Sequence, residues 1–182
     1  MLLDGEISVK KKTAKVDRFI EDLHEFIKNH PQFRKQTGEK SEVRIQAEIR
    51  PIIIRYLEDY FERAGYKDSI AKANKSFYWE GQEGRFGRER ERIFGTRNYP
   101  DFIITAPYLI AIEYKKSPNG SLVKQLIGQS IVHTLSDDFD FVYCLFHDES
   151  KGQKIKKSIE NDPESAIIDR MRDEFNLYLR FV

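Results

Sequence analysis

The sequence predicts an α/β domain built on a mixed central β-sheet with helices on both faces. A length of 182 residues with 40% hydrophobic residues allows one compact hydrophobic core. Two strand-like segments, YPDFIIT at 99–105 and YLIAIEYKK at 108–116, are joined by a short turn. A helix-like segment and a further apolar strand follow them, and strand–helix–strand is the pattern of a parallel crossover. Adjacent strands before such a crossover therefore predict a mixed sheet.

The segments before these strands are mostly helical in pattern. Apolar residues recur at helical spacing between 16 and 27, and we expect this first helix to end at Pro31. A longer helical pattern runs from 41 to 64. Pro51 lies inside it and predicts a kink or a restart without a change of direction.

The segments after the second helix alternate between strands, a loop and helices. Residues 69–80 end in SFYWE and suit a strand, and the glycine-rich segment 81–98 suits a loop or an open hairpin. SLVKQLIGQSIVHTL at 121–135 is an amphipathic helix, and DFVYCLF at 140–146 is a short buried strand.

The C-terminal part adds a lysine-rich connection, a helix from about Pro163 to Glu174, and a last strand in LYLRFV. The core order is thus α-β-β-β-α-β. We assign residues 1–40 to an N-terminal helical extension, an accessory helix, and residues 41–182 to the main domain.

Composition and charge exclude several classes of protein. A net charge of +1 is unlike a protein that coats DNA without specificity, which would be far more basic. No apolar run reaches the roughly 18 residues that a membrane span needs. The start, MLLDGEISVKKK, has an early acid and no long apolar stretch, so we expect a cytoplasmic protein. One cysteine, Cys144, excludes an internal disulfide and a cysteine zinc cluster.

Two acids and a lysine form the strongest chemical pattern. Asp101 follows a proline at the start of one strand, and Glu113 and Lys115 lie on the next. Residues two apart on a strand share a face, and pairing of the two strands would bring Asp101 close. Carboxylates of this kind bind Mg²⁺, and a lysine can orient an attacking water. The alternative is a solvated edge strand with Asp101 in a turn.

PDFII followed by IAIEYKK resembles the PD-(D/E)xK motif of restriction endonucleases, Holliday-junction resolvases and related nucleases. The resemblance covers about residues 41–147, and the family core has the same α-β-β-β-α-β order. It implies a restriction-endonuclease-like fold and Mg²⁺-dependent cleavage of nucleic acid, with Mn²⁺ as a substitute. It also implies that Asp101 and Glu113 bind the metal and that Lys115 is the water-positioning base.

Family members often add an acid from the first core helix. Glu48 in IQAEIRP is the best match and Glu42 is the alternative, although Pro51 departs from the smooth helix of the family. Some branches place a glutamine on the helix after the Glu-x-Lys strand, where this chain has Gln125 and Gln129. A polar helix face would explain both glutamines as well.

Some of these nucleases also carry a tyrosine four residues after that glutamine. This chain has His133 at that spacing from Gln129. We expect His133 to be an ordinary residue at the surface or boundary of its helix.

Candidate nucleic-acid contacts are concentrated in the glycine-rich segment, since arginine suits phosphate groups and such loops can close over a duplex. The alternation of arginine and glutamate could equally form a solvated hairpin. Lys116 is a weaker candidate. The arginines of this prediction are Arg85, Arg88, Arg90, Arg92 and Arg97.

The resemblance specifies the chemistry better than the substrate. We expect a DNA endonuclease of defence and restriction or of repair and recombination, acting on duplex or branched DNA, with RNA a weaker candidate. A homodimer is expected, because cutting both strands favours two-fold symmetry. The alternatives are a catalytically inactive nucleic-acid-binding module of the same fold and a purely structural domain.

Overall fold

The computed structural model describes residues 3–34, 41–79, 99–135, 139–161 and 164–182. These residues form an α/β structure around an open, mixed sheet of five strands, in the spatial order β1-β2-β3-β4-β5. The predicted mixed sheet is therefore confirmed. The strands are β1 Phe77–Trp79, β2 Phe102–Ile104, β3 Ile110–Ser117, β4 Phe141–Asp148 and β5 Leu177–Phe181.

Strand directions follow the predicted connections. β1 pairs with β2, and β2 with β3, in antiparallel fashion, and a short connection joins β2 to β3. β3 pairs with β4 and β4 pairs with β5 in parallel, with helices in both connections. The helices are α1 Leu3–Asn29, α2 Pro31–Arg34, α3 Glu42–Arg63, α4 Ser69–Ser76, α5 Ser121–Leu135, α6 Lys154–Glu160 and α7 Glu164–Phe175.

Each face of the sheet is covered by its own hydrophobic cluster. On one face, which we call the α1 face, α1 and α3 pack on β-strand residues such as Ile112, Tyr114 and Tyr143. On the other, the α5 face, α5 and α7 pack on residues such as Ala111 and Val142. Alternate residues of β3 and β4 point to opposite faces, so both central strands are buried on both sides.

The N-terminal helix packs directly on the sheet. Its apolar residues Val16, Ile20 and Leu23 are fully buried. Tyr178 of β5 donates a hydrogen bond to the Asp17 carboxylate at 2.7 Å, and Tyr56 of α3 donates to the Phe19 carbonyl at 3.0 Å. The accessory helix therefore shares one hydrophobic core with α3 and the strands.

Two predicted segments have a different secondary structure. Residues 69–76 form helix α4 instead of the start of a strand, because the Asp68 side chain caps the helix by accepting from the Ala71 N–H at 2.9 Å. Residues 154–160 form helix α6 instead of a connection. Its first turn is stabilised by Ser150 and Asp148, whose side chains accept the N–H groups of Lys154 and Lys156.

α3, α5 and α7 agree with the predicted helices, whereas α1 begins at Leu3, well before the apolar pattern at 16–27 from which it was predicted. α5 covers the predicted residues 121–135. α3 passes through Pro51 as one continuous helix, capped at its start by Ser41, so the chain does not restart there. In the described parts of the chain, no helix is both long and apolar enough to cross a membrane.

Candidate active site

Asp101 and Glu113 are brought together by the pairing of β2 with β3. The register places Phe102 opposite Ile112, so the next position along places Asp101 opposite Glu113. The backbone N–H of Tyr114 donates a hydrogen bond to the Asp101 carboxylate at 2.7 Å. Asp101 is 8% exposed and Glu113 is 4% exposed. Two acids are therefore buried side by side, as the hairpin prediction required.

Burial and the neighbouring Glu113 both affect the protonation of Asp101. Burial, followed by repulsion from Glu113, raises the pKa of Asp101 to about 7. The Tyr114 N–H and the Lys115 ammonium act in the opposite direction, and Glu42 adds further negative charge. The site thus carries more negative charge than its own cation neutralises, which is an environment that attracts an additional cation.

Lys115 lies on the same strand and is held by an acid from α3. Its Nζ donates a hydrogen bond to Glu42 Oε1 at 2.8 Å, which also makes an ion pair. Burial opposes the charged form of Lys115, but the Glu42 contact and the nearby Asp101 and Glu113 raise its pKa above the usual value. Lys115 is therefore a protonated donor in this arrangement.

The first turn of α3 reaches the site through Glu42. Glu42 contacts Lys115 and acts electrostatically on Asp101, whereas Glu48 has an ion pair with Arg44 at 3.9 Å. The described contacts therefore place the alternative acid, Glu42, beside the two carboxylates.

His133 was not expected at the site, and it is there. Its Nε2 lies 2.7 Å from Glu113 Oε1, and the histidine is only 2% exposed. The expectation of a surface or boundary residue is wrong, because α5 directs this side chain onto the sheet. The spacing of four residues from Gln129, on the helix after the Glu-x-Lys strand, was the available signal.

The two glutamines of α5 have different environments. Gln125 is exposed and makes no described contact with the acids. Gln129 is half-buried, and its Oε1 is buried without a hydrogen-bond partner in the described part of the chain. Gln129 lies one turn before His133, on the same side of α5. Gln129 is therefore the better placed of the two predicted glutamines.

The predicted nucleic-acid contacts are only partly described. Arg85, Arg88, Arg90, Arg92 and Arg97 lie outside the described residues. Lys116 makes an ion pair with Glu149 at 2.7 Å, and the Glu149 N–H donates to the Ser117 carbonyl at 3.1 Å. Lys116 therefore ties the end of β3 to the residue that follows β4.

The donors at the site suit a hard divalent cation. No three His, Cys, Asp or Glu side chains of the described residues are grouped closely enough to form a complete metal site. Mg²⁺ does not need such a group, since it is usually bound by one or two carboxylates together with waters and substrate phosphates. Asp101 and Glu113 supply those carboxylates, and a bound cation would offset both the burial and the repulsion from Glu113 that raise the pKa of Asp101.

Comparison with known proteins returned no match to this chain among family models, curated proteins or solved structures.

Proposed function

We propose that this chain is a metal-dependent nuclease that hydrolyses DNA phosphodiester bonds, with the fold and site of the PD-(D/E)xK class. The observation that supports the proposal is the burial of two adjacent carboxylates, Asp101 and Glu113, next to the Lys115 ammonium. Their placement on two paired strands, with Lys115 two residues after Glu113, matches the motif. The wider restriction-endonuclease-like architecture is part of the same proposal.

A structural role explains this cluster poorly. Burying an ionised carboxylate has a large desolvation cost unless it is paired, and the site has more acids than cations. Replacing Asp101 and Glu113 by apolar residues would relieve that cost if they served only the fold. A catalytic metal site explains why the chain keeps both.

The residues that would bind the metal are Asp101 and Glu113. When bound, Mg²⁺ supplies positive charge for the phosphate oxygens and lowers the pKa of an attacking water. Glu42 provides a third carboxylate at the same end of the sheet through its contact with Lys115. It replaces Glu48 as our candidate for the additional acid.

Lys115 would act on the water and the phosphate. Its ammonium is protonated in this arrangement, so it can donate a hydrogen bond to a water or to a phosphate oxygen. Glu42 holds that ammonium near the two carboxylates. In the proposed reaction Lys115 orients the water and offsets the negative charge that develops on the phosphate.

The test is cleavage of a panel of plasmid, linear duplex, single-stranded DNA, four-way junction and RNA with Mg²⁺ or Mn²⁺. Wild type is compared with Asp101→Ala and Lys115→Ala, and with Lys28→Ala as a control, because the ion pair of Lys28 is with Glu25 of the same helix. We expect metal-dependent cutting by wild type and the control, and a loss of about 10²-fold or more in both site variants.

The outcomes separate the candidate functions. Cutting that survives both site substitutions would contradict the proposed site. Binding of DNA by wild type without cutting on any substrate would favour the inactive nucleic-acid-binding module. The preferred DNA, duplex or branched, would distinguish restriction from recombination, and the oligomeric state of the active species would test the proposed homodimer.

A further inference from the structure

The Glu113 carboxylate has a close contact with a buried imidazole. His133 Nε2 lies 2.7 Å from Glu113 Oε1, and both side chains are at most 5% exposed. The two residues come from different elements, β3 and α5. A contact at this depth is shielded from bulk solvent, so the hydrogen bond fixes the carboxylate more strongly than a surface contact would.

The chemistry of the two groups sets the direction of this hydrogen bond. A carboxylate that binds a metal is ionised and can only accept, so in the metal-bound form Nε2 carries the hydrogen and donates a hydrogen bond to Oε1. The contact thus occupies one oxygen of Glu113. Among the described residues no hydrogen bond is made to the other oxygen, Oε2, which can serve as a ligand.

The position of His133 is fixed by packing around α5. The Phe139 ring makes an edge contact with the imidazole, with centroids 5.8 Å apart. One turn earlier, the Cys144 thiol of β4 donates to the Ser130 hydroxyl of α5 at 2.8 Å, and both residues are fully buried. The helix is therefore held against the sheet at Ser130 and at His133, so the imidazole cannot easily follow a moving carboxylate.

We infer that His133 is a positioning residue that holds Glu113 Oε1 and presents Oε2 to a divalent cation. This inference rests on the proposed function, because it concerns the same metal site. Hydrogen-bond partners of metal ligands fix the orientation of those ligands, and their loss typically lowers metal affinity or activity by roughly 10- to 100-fold. A histidine buried only for packing would have no such effect on a metal.

The test compares two substitutions of His133 whose side-chain amides differ in length. The side-chain amide of His133→Gln can approach the place of Nε2, whereas the shorter amide of His133→Asn stops near the place of Nδ1. Both remain polar and small enough for the site. Mn²⁺ binding to the full chain is measured by calorimetry without nucleic acid, and thermal unfolding without metal is recorded for the same samples.

We expect His133→Asn to weaken Mn²⁺ binding by roughly 10- to 100-fold and His133→Gln to remain within a few-fold of wild type. A His133→Leu variant should behave like His133→Asn if it folds. Equal Mn²⁺ affinity in wild type and His133→Asn, with both folded, would overturn the inference alone. Absence of Mn²⁺ binding by wild type would overturn the proposed metal site and the inference with it.

Discussion

The two faces of the sheet each bury one histidine against a strand, but the partners differ. On the α1 face, His24 Nδ1 lies 3.0 Å from the Tyr143 hydroxyl, a neutral partner. On the α5 face, His133 contacts the carboxylate of Glu113, beside a second buried acid. The α1 face shows that this fold can satisfy a buried imidazole without burying any acid. This contrast supports the proposal that the acids of the α5 face serve a function beyond folding.

The two faces also respond to pH in opposite ways. Burial, with added repulsion from Arg180 and Lys28, lowers the pKa of His24 to about 4. Burial and repulsion from Glu113 raise the pKa of Asp101 to about 7. Folding thus favours the neutral form of both groups. Stability associated with His24 is lost in acid, whereas stability associated with Asp101 is lost as the pH rises.

The largest expected difference between the two faces is in the rate of DNA cleavage after substitution of their acids. Asp101→Asn and Glu113→Gln should each lower the rate of metal-dependent DNA cleavage by at least roughly 10²–10³-fold, because each removes a charge that the reaction uses. Asp17→Asn on the α1 face is the matched control, since Asp17 is also a carboxylate hydrogen-bonded to a neutral group. Its cleavage rate should stay within about two-fold of wild type. Equal losses of cleavage rate in all three variants would show that the acids of the α5 face have no special role in cleavage.

The next effect concerns acid stability on the α1 face. Because the pKa of His24 is about 4 in the folded chain and 6.5 for an unperturbed histidine, its contribution is fully present above pH 6.5 and is lost as the pH falls toward 4. The size should be roughly 3 kcal/mol, since one pKa unit corresponds to about 1.4 kcal/mol. Urea unfolding of wild type and His24→Gln at several pH values measures it. If the free energy of unfolding of His24→Gln has the same pH dependence as that of wild type, groups other than His24 cause the loss of stability in acid.

The smallest effect distinguishes the two candidate acids of α3. Glu42→Gln should lower the cleavage rate by about 10-fold, because it releases the Lys115 ammonium from its partner at 2.8 Å. Glu48→Gln should have a smaller effect, since the described ion pair of Glu48 is with Arg44. Single-turnover cleavage of the preferred DNA measures both. A larger loss for Glu48→Gln would support Glu48, the acid that the motif comparison favours.

The sequence predicted the structure best where residue periodicity could be combined with the pairing of neighbouring strands. Periodicity predicted α5 at the observed residues, and the alternation in IAIEYKK predicted that Glu113 and Lys115 share a strand. Asp101 could be placed beside them because two strands joined by a short turn pair in antiparallel fashion. These features depend on local sequence and on one simple rule of sheet geometry.

The missed features depend on contacts between distant residues. His133 was misjudged because its partner, Glu113, lies twenty residues away on another element. The choice between Glu42 and Glu48 depends on how α3 is rotated against the sheet, which periodicity does not define. Helices α4 and α6 were missed because they are short and depend on side-chain hydrogen bonds before their first turns, from Asp68 for α4 and from Ser150 for α6.

The most direct test of a cation site on the α5 face is thermal unfolding at pH 8 with and without Mg²⁺, for wild type and Asp101→Asn. Without metal, Asp101→Asn should melt at a higher temperature, because at pH 8 the wild type carries the ionised Asp101 whose pKa is raised to about 7. Mg²⁺ at about ten times its dissociation constant stabilises a protein by about 1.4 kcal/mol, which is about 3–6 °C at this size. We predict that rise in wild type and no rise in Asp101→Asn. The same rise in both proteins, or none in either, would contradict a metal site formed by Asp101 and Glu113.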